Sequence, residues 1–358
     1  MSEPISIDRL VCPAPVDRQD RILLGHGSGG RLSAQLIQNV FLPALGNPVL
    51  LAMEDQAVIA PPEVLARGGR LAVTTDSFVV RPIFFPGGDI GSLAVHGTIN
   101  DLAVGGAKPL WLAAAFILEE GLETEALRRI VAGMKKACDA AGVAIICGDT
   151  KVVDRGACDK IFITTTGVGV VPAGVSLSVR NAKPGDRVLL SGTIGDHGMA
   201  IMSVREGLTF ETELQSDSAP LAGLVDAMLA ACPAIRCMRD PTRGGLSSTA
   251  NEIAAASRVG IRLDEAAIPI RPPVKAACEM LGLDPLYVAN EGKLVAIVPD
   301  ADAARLLTVM RSHPLGRDAA LIGQVVGDLA PGRVTMRSLI GTERIVSMLA
   351  GEQLPRIC

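Results

Sequence analysis

The sequence predicts an α/β (α+β) protein built as two domains, and three observations carry that expectation. The chain has 358 residues, beyond the size at which a single hydrophobic core keeps growing. Apolar runs of strand length alternate with segments whose apolar residues recur at helical spacing, in both halves of the chain. Each half also opens on its own glycine-bounded turn, His26 to Gly30 in the first and Gly192 to Gly198 in the second.

Taken in order, residues 1–20 read as a polar extension broken by prolines. Residues 21–180 form the expected first domain. Its short apolar stretch Ile22-Leu23-Leu24 runs into His26-Gly27-Ser28-Gly29-Gly30, and Leu32, Leu36, Ile37 and Val40 then predict a helix from Arg31 to Leu42. Glycines at a helix N-terminus bring unpaired N–H groups and the helix dipole to an anion; as a local pattern they are equally a flexible turn. Arg70 to Val80 reads as a strand interrupted by Asp76, Glu123 to Ala141 as a helix whose buried face holds Leu127, Ile130, Val131, Met134 and Ala137, and Lys160 to Val171 as a strand.

A turn-rich link at 181–186 opens the expected second domain, 181–350. Strands are predicted at Arg187 to Ser191, Leu294 to Val298 and Ala320 to Val326, a short ladder at Arg333 to Met336, and helices at Leu246 to Ala256 and Ala301 to Met310. The turn Arg239-Asp240-Pro241-Thr242-Arg243-Gly244-Gly245 precedes the first of these helices, so its Asp, Thr and Arg side chains either hold a phosphate or cap that helix. Glu291 lies in an Asn-Glu-Gly turn at the mouth of a strand. Residues 351–358 form a tail in which Pro355 fixes an extended approach to the final side chain, Cys358.

Composition excludes several function classes. A formal net charge of −4, with one Trp, one Tyr and seven Phe, gives neither a basic field nor an aromatic platform, so no nucleic-acid partner is expected. The longest apolar run, Leu110 to Leu118, is far short of the roughly 20 residues that cross a bilayer, and no membrane association is expected. The N-terminus has no apolar signal region, and cytoplasm is the expected compartment. The eight cysteines include no Cys-x-x-Cys pair, so zinc is not expected and seven read as reduced, mostly buried thiols.

Four acids end or interrupt four apolar segments: Asp55 in Met53-Glu54-Asp55, Asp76 within the strand, Asp101 after Asn100, and Asp149 in Gly148-Asp149-Thr150-Lys151. Carboxylate oxygens are what Mg²⁺ takes, usually with waters retained and phosphate shared. Any one such acid is more often a turn or cap residue; four in this pattern point to metal-bound phosphate.

Six separated motifs, in order, carry a resemblance: His-Gly-Ser-Gly-Gly at 26–30, Thr-Thr-Asp-Ser at 74–77, Phe-Phe-Pro-Gly-Gly-Asp-Ile-Gly at 84–91, Gly-Asp-Thr-Lys-Val-Val at 148–153, Asn-Glu-Gly-Lys at 290–293, and the terminal Pro-Arg-Ile-Cys. From about residue 24 onward the chain resembles the hydrogenase expression/formation proteins of the HypE family. That resemblance implies a PurM-like fold shared with aminoimidazole ribonucleotide synthetase: an N-terminal sheet pairing across a homodimer, a C-terminal mixed sheet with flanking helices, a nucleotide cleft between them, and a mobile tail. It implies ATP and Mg²⁺ as cofactors, the carbamoyltransferase HypF and the HypC–HypD iron scaffold complex as partners, and dehydration of an S-carbamoylated Cys358 to a thiocyanate that supplies cyanide to [NiFe] hydrogenase.

An amide oxygen leaves poorly until ATP converts it to a phosphate ester and a base takes the nitrogen proton. By matched motif, the resemblance implies Asp55, Asp76, Asp101 and Asp149 for Mg²⁺ and phosphate, His26, Gly27, Ser28, Gly29 and Gly30 over the phosphates, Lys151 at the carbamoyl oxygen or the transferring phosphate, and Glu291 as base. Asp196, His197, Asp240 and Arg243 are further candidates in the second domain. Glu54 stands where relatives carry an Asp, which sets it apart from the ligands. The rival expectations are a selenophosphate-synthetase-like enzyme, whose glycine loop would carry Cys and Lys, and a non-catalytic carrier with a cysteine tail.

Overall fold

The computed structural model describes residues 20–23, 26, 35–48, 50–52, 63–207 and 214–348. Gly27, Ser28, Gly29, Gly30, Glu54, Asp55 and Cys358 lie outside the described residues, as does the whole 351–358 tail.

Two sheets organise the described residues. Strand β1 (Arg70–Phe78) leads through a small hairpin, β2 (Phe84–Phe85) and β3 (Gly88–Asp89), into helix α1 (Ile90–Val104). Then follow β4 (Lys108–Glu119), α2 (Thr124–Ala141), β5 (Ala144–Val153) and β6 (Ile161–Val171), and the strands assemble in the order β1-β6-β4-β5. The β4–β5 pair is parallel and the others antiparallel.

Helix α1 covers one face of this sheet, packing on β1, β4 and β6. It starts where Asp89 accepts hydrogen bonds from the main-chain N–H groups of Gly91 (2.8 Å) and Ser92 (2.9 Å), while Ser92 Oγ accepts from Asp89 N, a reciprocal cap that satisfies otherwise orphaned donors. Thirteen of its fifteen residues are buried. Helix α2 lies across α1 on its Leu127, Ile130, Val131 and Met134 face, and the two backbones meet where a Cβ on Gly91 would collide with Ile130 O and one on Gly133 with Asp89. The opposite sheet face leaves Leu71 59%, Val73 67% and Ile117 40% exposed.

The second sheet contains β7 (Arg187–Leu190), β8 (Cys237–Arg239), β9 (Gly260–Asp264), β10 (Val295–Val298), β11 (Ala320–Val326), β12 (Val334–Arg337) and β13 (Glu343–Ile345), in the order β13-β12-β9-β11-β7-β10-β8. Five helices accompany it: α3 (Asp196–Arg205), α4 (Ala222–Ala231), α5 (Gly245–Ser257), α6 (Pro272–Leu281) and α7 (Asp300–Ser312). Strand alternation divides the apolar residues between two layers. Leu189, Ala296 and Val298 face Leu224 and Met228 of α4 and Leu306 of α7. Val188, Leu190, Val295 and Ile297 face Leu246, Ala250 and Ile253 of α5. Ala103 and Val104 at the end of α1 join the α4 layer, so the first helix knits the two halves together.

The structure differs from expectation at particular places. Asp76 does not interrupt β1: it pairs in register with Thr165. Strand β5 does not end with its apolar run but continues through Gly148-Asp149 to Val153, because its parallel register with β4 holds from Ala113 to Glu119. Asp101 sits on a helix, α1. No helix among the described residues is long and apolar enough to cross a membrane.

Candidate active site

A cleft of about 440 Å³ opens between the two sheets, with Thr74 of β1, Asp101 of α1, and Arg239, Asp240 and Thr242 of the β8–α5 turn on its walls. Thr74 Oγ1 donates to Asp101 Oδ2 at 2.9 Å. Burial raises the Asp101 carboxyl above the usual carboxylate range, the Thr74 bond opposes this, and the neighbouring Asp76 charge adds to it. Asp240 is pushed up to about 7, first by burial and then by Asp101.

Glu291 stands behind these acids. It is 3% exposed, and its Oε1 has no hydrogen-bond partner among the described residues. Its carboxyl is raised well above the ordinary value by burial first, then by the charges of Asp240, Asp217, Asp76 and Asp101. Acids from separate segments are thus gathered where their charges penalise ionisation of Asp101, Asp240 and Glu291, an arrangement whose cost falls when a cation enters.

The local sequence explains how Glu291 is presented. Asn290 Oδ1 accepts from Gly195 N (2.7 Å), and its Nδ2 donates to Pro241 O (2.9 Å) and Val288 O (3.0 Å), so one satisfied amide locks the β10 entrance onto two glycine turns. Asn100 of α1 donates through Nδ2 to Glu291 O at 3.0 Å. Gly97, one turn earlier, leaves room for both Phe78 and the Glu291 carboxylate.

The other expected residues are placed differently. Along the sheet Asp149 is in register with Ala115, Thr164 and Ser77, whereas Asp76 is in register with Thr165 and Ala114. Alternation therefore puts Asp149 on the face opposite Asp76. Lys151 shares that outer face and lies 3.4 Å from Asp149, each side chain about two-thirds exposed. His26 is buried and its Nδ1 accepts from Leu23 N at 3.0 Å; burial lowers its pKa. Asp196 is bound by Thr193 and by Arg271, at 3.2 Å from the latter, His197 stacks edge-on to Phe85, and Arg243 is exposed beside the cleft turn.

Residues 53–171 match the family model for the AIR synthase related protein, N-terminal domain, and residues 183–333 match the one for its C-terminal domain. A carbamoyl dehydratase HypE of Cupriavidus necator is 60% identical over 343 residues, covering 95% of this chain and 96% of that protein. The chain belongs to the HypE carbamoyl dehydratase family. Among solved structures, a hydrogenase maturation protein HypE in complex with ATP aligns with a TM-score of 0.89 at 50% identity, over 94% of this chain and 99% of that one. A chain from a HypE–HypF complex aligns with a TM-score of 0.76 at 50% identity, over 88% and 99%.

The donor set of this HypE family member fits Mg²⁺ in one specific manner. Among the described residues no group of three His, Cys, Asp or Glu could by itself hold a metal ion, while the charges of Asp101 and Asp76 raise Asp240, and that of Asp76 raises Asp101. Carboxylate oxygens are hard donors, and a set too open to enclose an ion suits one that keeps waters and shares phosphate oxygens. Asp217 and Lys293 were not singled out from the sequence. Lys293 belongs to the quoted Asn-Glu-Gly-Lys motif, and Asp217, in Gln215-Ser216-Asp217-Ser218, carries only a turn-like composition.

Proposed function

We propose that this chain is an ATP-dependent carbamoyl dehydratase, converting the S-carbamoyl group on Cys358 to a thiocyanate for the iron of [NiFe] hydrogenase. The observation that carries this reading is Glu291, buried with an unpartnered carboxylate oxygen among the acids of the cleft. A carboxylate whose pKa is raised by burial and by neighbouring acids is a stronger base than an ordinary glutamate, and so better matched to taking a weakly acidic amide proton. Family membership supports the chemistry, and the likeness to a HypE–ATP complex supports the nucleotide.

Bound ATP and Mg²⁺ would supply the phosphoryl group and the charge that make the carbamoyl oxygen a leaving group. Asp76, Asp101 and Asp240 hold the metal-bound phosphates, with Asp55 and the residues His26 to Gly30 as further contributors. Glu291 takes the nitrogen proton. Lys151, paired with Asp149 on the sheet face opposite Asp76, faces away from Glu291 within one chain, so its role at the carbamoyl oxygen would be played only towards a second copy. We assign HypF as the donor of the carbamoyl group, in line with the HypE–HypF complex among the relatives, and HypC–HypD as the recipient of cyanide. A homodimer formed through the outer face of the first sheet would cover Leu71, Val73 and Ile117 and bring Lys151 and Asp149 into an interface. Residues 1–20, 21–180, 181–350 and 351–358 are the proposed extension, two domains and tail.

Selenophosphate synthesis and a non-catalytic carrier are not favoured, since the relatives matched across nearly the whole chain are carbamoyl dehydratases. Mass spectrometry of the C-terminal peptide tests the reading, after incubation with HypF, carbamoyl phosphate and ATP. The expected product is the carbamoylated peptide less one water. A peptide that stays carbamoylated in the presence of Mg-ATP would reject it.

A further inference from the structure

The segment from Leu214 to Leu221 crosses from one half of the molecule to the other and is anchored on both sides. Ser216 N donates to Pro86 O at 2.8 Å, and Ser216 Oγ bonds His197 Nδ1 at 2.8 Å. Ser218 Oγ bonds His96 Nδ1 at 2.9 Å. Asn100 of α1 donates to Ala219 O at 3.0 Å and accepts from Leu221 N at 2.8 Å. The approach is close: a Cβ on Gly87 would lie 2.8 Å from Ser216 N, and one on Gly292 would collide with Asp217 O.

Between these anchors the Asp217 side chain is turned inward and buried, with 4% of it exposed. Its Oδ1 accepts the main-chain N–H of Glu291 at 3.0 Å. Its Oδ2 lies 3.2 Å from Lys293 Nζ, within ion-pair reach but off the line of a hydrogen bond. Lys293 is thus a half-buried cation two residues from a buried, unpartnered carboxylate oxygen. Asp196 already feels that ammonium, and Glu291 lies two residues along the chain; were the ammonium freed onto Glu291, the base would lose its affinity for a proton.

We propose that Asp217 is a positioning residue for Glu291: it fixes the Glu291 main chain through Oδ1 and captures the Lys293 ammonium through Oδ2, leaving the Glu291 carboxylate unpaired and aimed at substrate. This rests on the reading of Glu291 as base. Its distinctive consequence is that the harm done by removing Asp217 comes through Lys293.

The test is a double-variant cycle on the full chain. Asp217→Asn keeps the oxygen that accepts the Glu291 N–H but releases Lys293, and is expected to lower kcat for thiocyanate formation about 10²-fold with KM for ATP unchanged. Adding Lys293→Met should then recover about tenfold or more, because nothing remains to quench Glu291. A structural role alone predicts that the double variant is no better than the single one, and that result overturns the proposal. Should Asp217→Asn fail to fold, the double variant, which leaves neither charge unpaired, decides alone: kcat within about tenfold of wild type supports the proposal, and kcat as low as that of Glu291→Gln rejects it. If wild-type protein forms no thiocyanate, the function proposed above fails. A crystal structure of Asp217→Asn still decides the positioning claim, with Lys293 Nζ moved onto Glu291 Oε1 supporting it and an unmoved Lys293 overturning it.

Discussion

Thr74 Oγ1 donates to Asp101 Oδ2 at 2.9 Å and so fixes a carboxylate of helix α1 against strand β1 at the wall of the cleft. The bond holds down a pKa that burial and Asp76 push up. Asp101→Asn removes a phosphate-side charge without changing shape, so ATP turnover should be lost while the thermal unfolding midpoint stays close to wild type. Thr74→Val should lower turnover about tenfold, with part of the loss recovered at higher pH, because the freed carboxyl then ionises less readily. Unchanged turnover in Asp101→Asn would remove that residue from the phosphate site.

Glu291 must be ionised to act as a base, and burial followed by the charges of Asp240, Asp217, Asp76 and Asp101 raises its pKa. Thiocyanate formation should therefore fall as pH drops through that raised value, with an acid limb above the ordinary glutamate range near ~4.3. Glu291→Gln should retain ATP binding and form no thiocyanate. A pH profile whose limb sits at the ordinary carboxylate value would exclude Glu291 as the titrating base.

Gly97 lies in the interior of α1, where a Cβ would approach Phe78 Cζ to 2.8 Å and Cε1 to 2.9 Å. Phe78 is 1% exposed and has nowhere to retreat. Gly97→Ala should destabilise the fold by about 1–3 kcal/mol despite the better helix propensity of alanine, measured by urea unfolding. A stabilised variant would show that α1 and β1 can separate at this point.

Where local pattern and tertiary environment agree, the sequence was readable. Helix α2 exposes one face and buries Leu127, Ile130, Val131, Met134 and Ala137, so its period marked it, and strand β11 runs from Ala320 to Val326 as the alternation implied. Helix α1 was invisible for the opposite reason: packed against a sheet, α2 and α4, it is apolar on nearly every side and carries no period to read. The site divides along the same line. Glu291 was marked by its Asn-Glu-Gly turn at a strand mouth, Asp240 by its place in a turn just before a helix, and Asp101 by interrupting an apolar run. Asp217 offered no local sign, since its contacts with Glu291 and Lys293 span more than seventy residues of chain. The face of Asp149 was hidden too, because one residue of register decides which side of a sheet a side chain takes.

Ile117 is 40% exposed on the outer face of the first sheet, in register with Lys151 of β5 and Phe162 of β6. If a second copy covers that face, Ile117→Lys buries a second ammonium beside Lys151 in the dimer yet leaves it in water in the monomer. Sedimentation should show a dimer for the wild type and a monomer for the variant, with the unfolding midpoint of the separated chain little changed. Equal masses for the two proteins would place any dimer contact elsewhere.

Asp240 gives the last prediction, because its carboxyl is pushed up to about 7, by burial first and then by Asp101. The folded state binds the Asp240 proton more tightly than the unfolded chain does. Its contribution to stability is therefore fully present below the unfolded pKa and is lost as pH rises through about 7. In metal-free and nucleotide-free protein, the unfolding free energy should fall between about pH 4 and about pH 7, and Asp240→Asn should flatten that fall, since an amide holds no proton to lose. Glu291 titrates in the same direction, so the difference between wild type and Asp240→Asn isolates the share of Asp240. Added Mg-ATP should reverse the trend by favouring the ionised carboxylate, stabilising the protein more at the higher pH than at the lower. An Asp240→Asn variant with the same pH slope as wild type would mean that Asp240 stays ionised in the folded protein throughout this range.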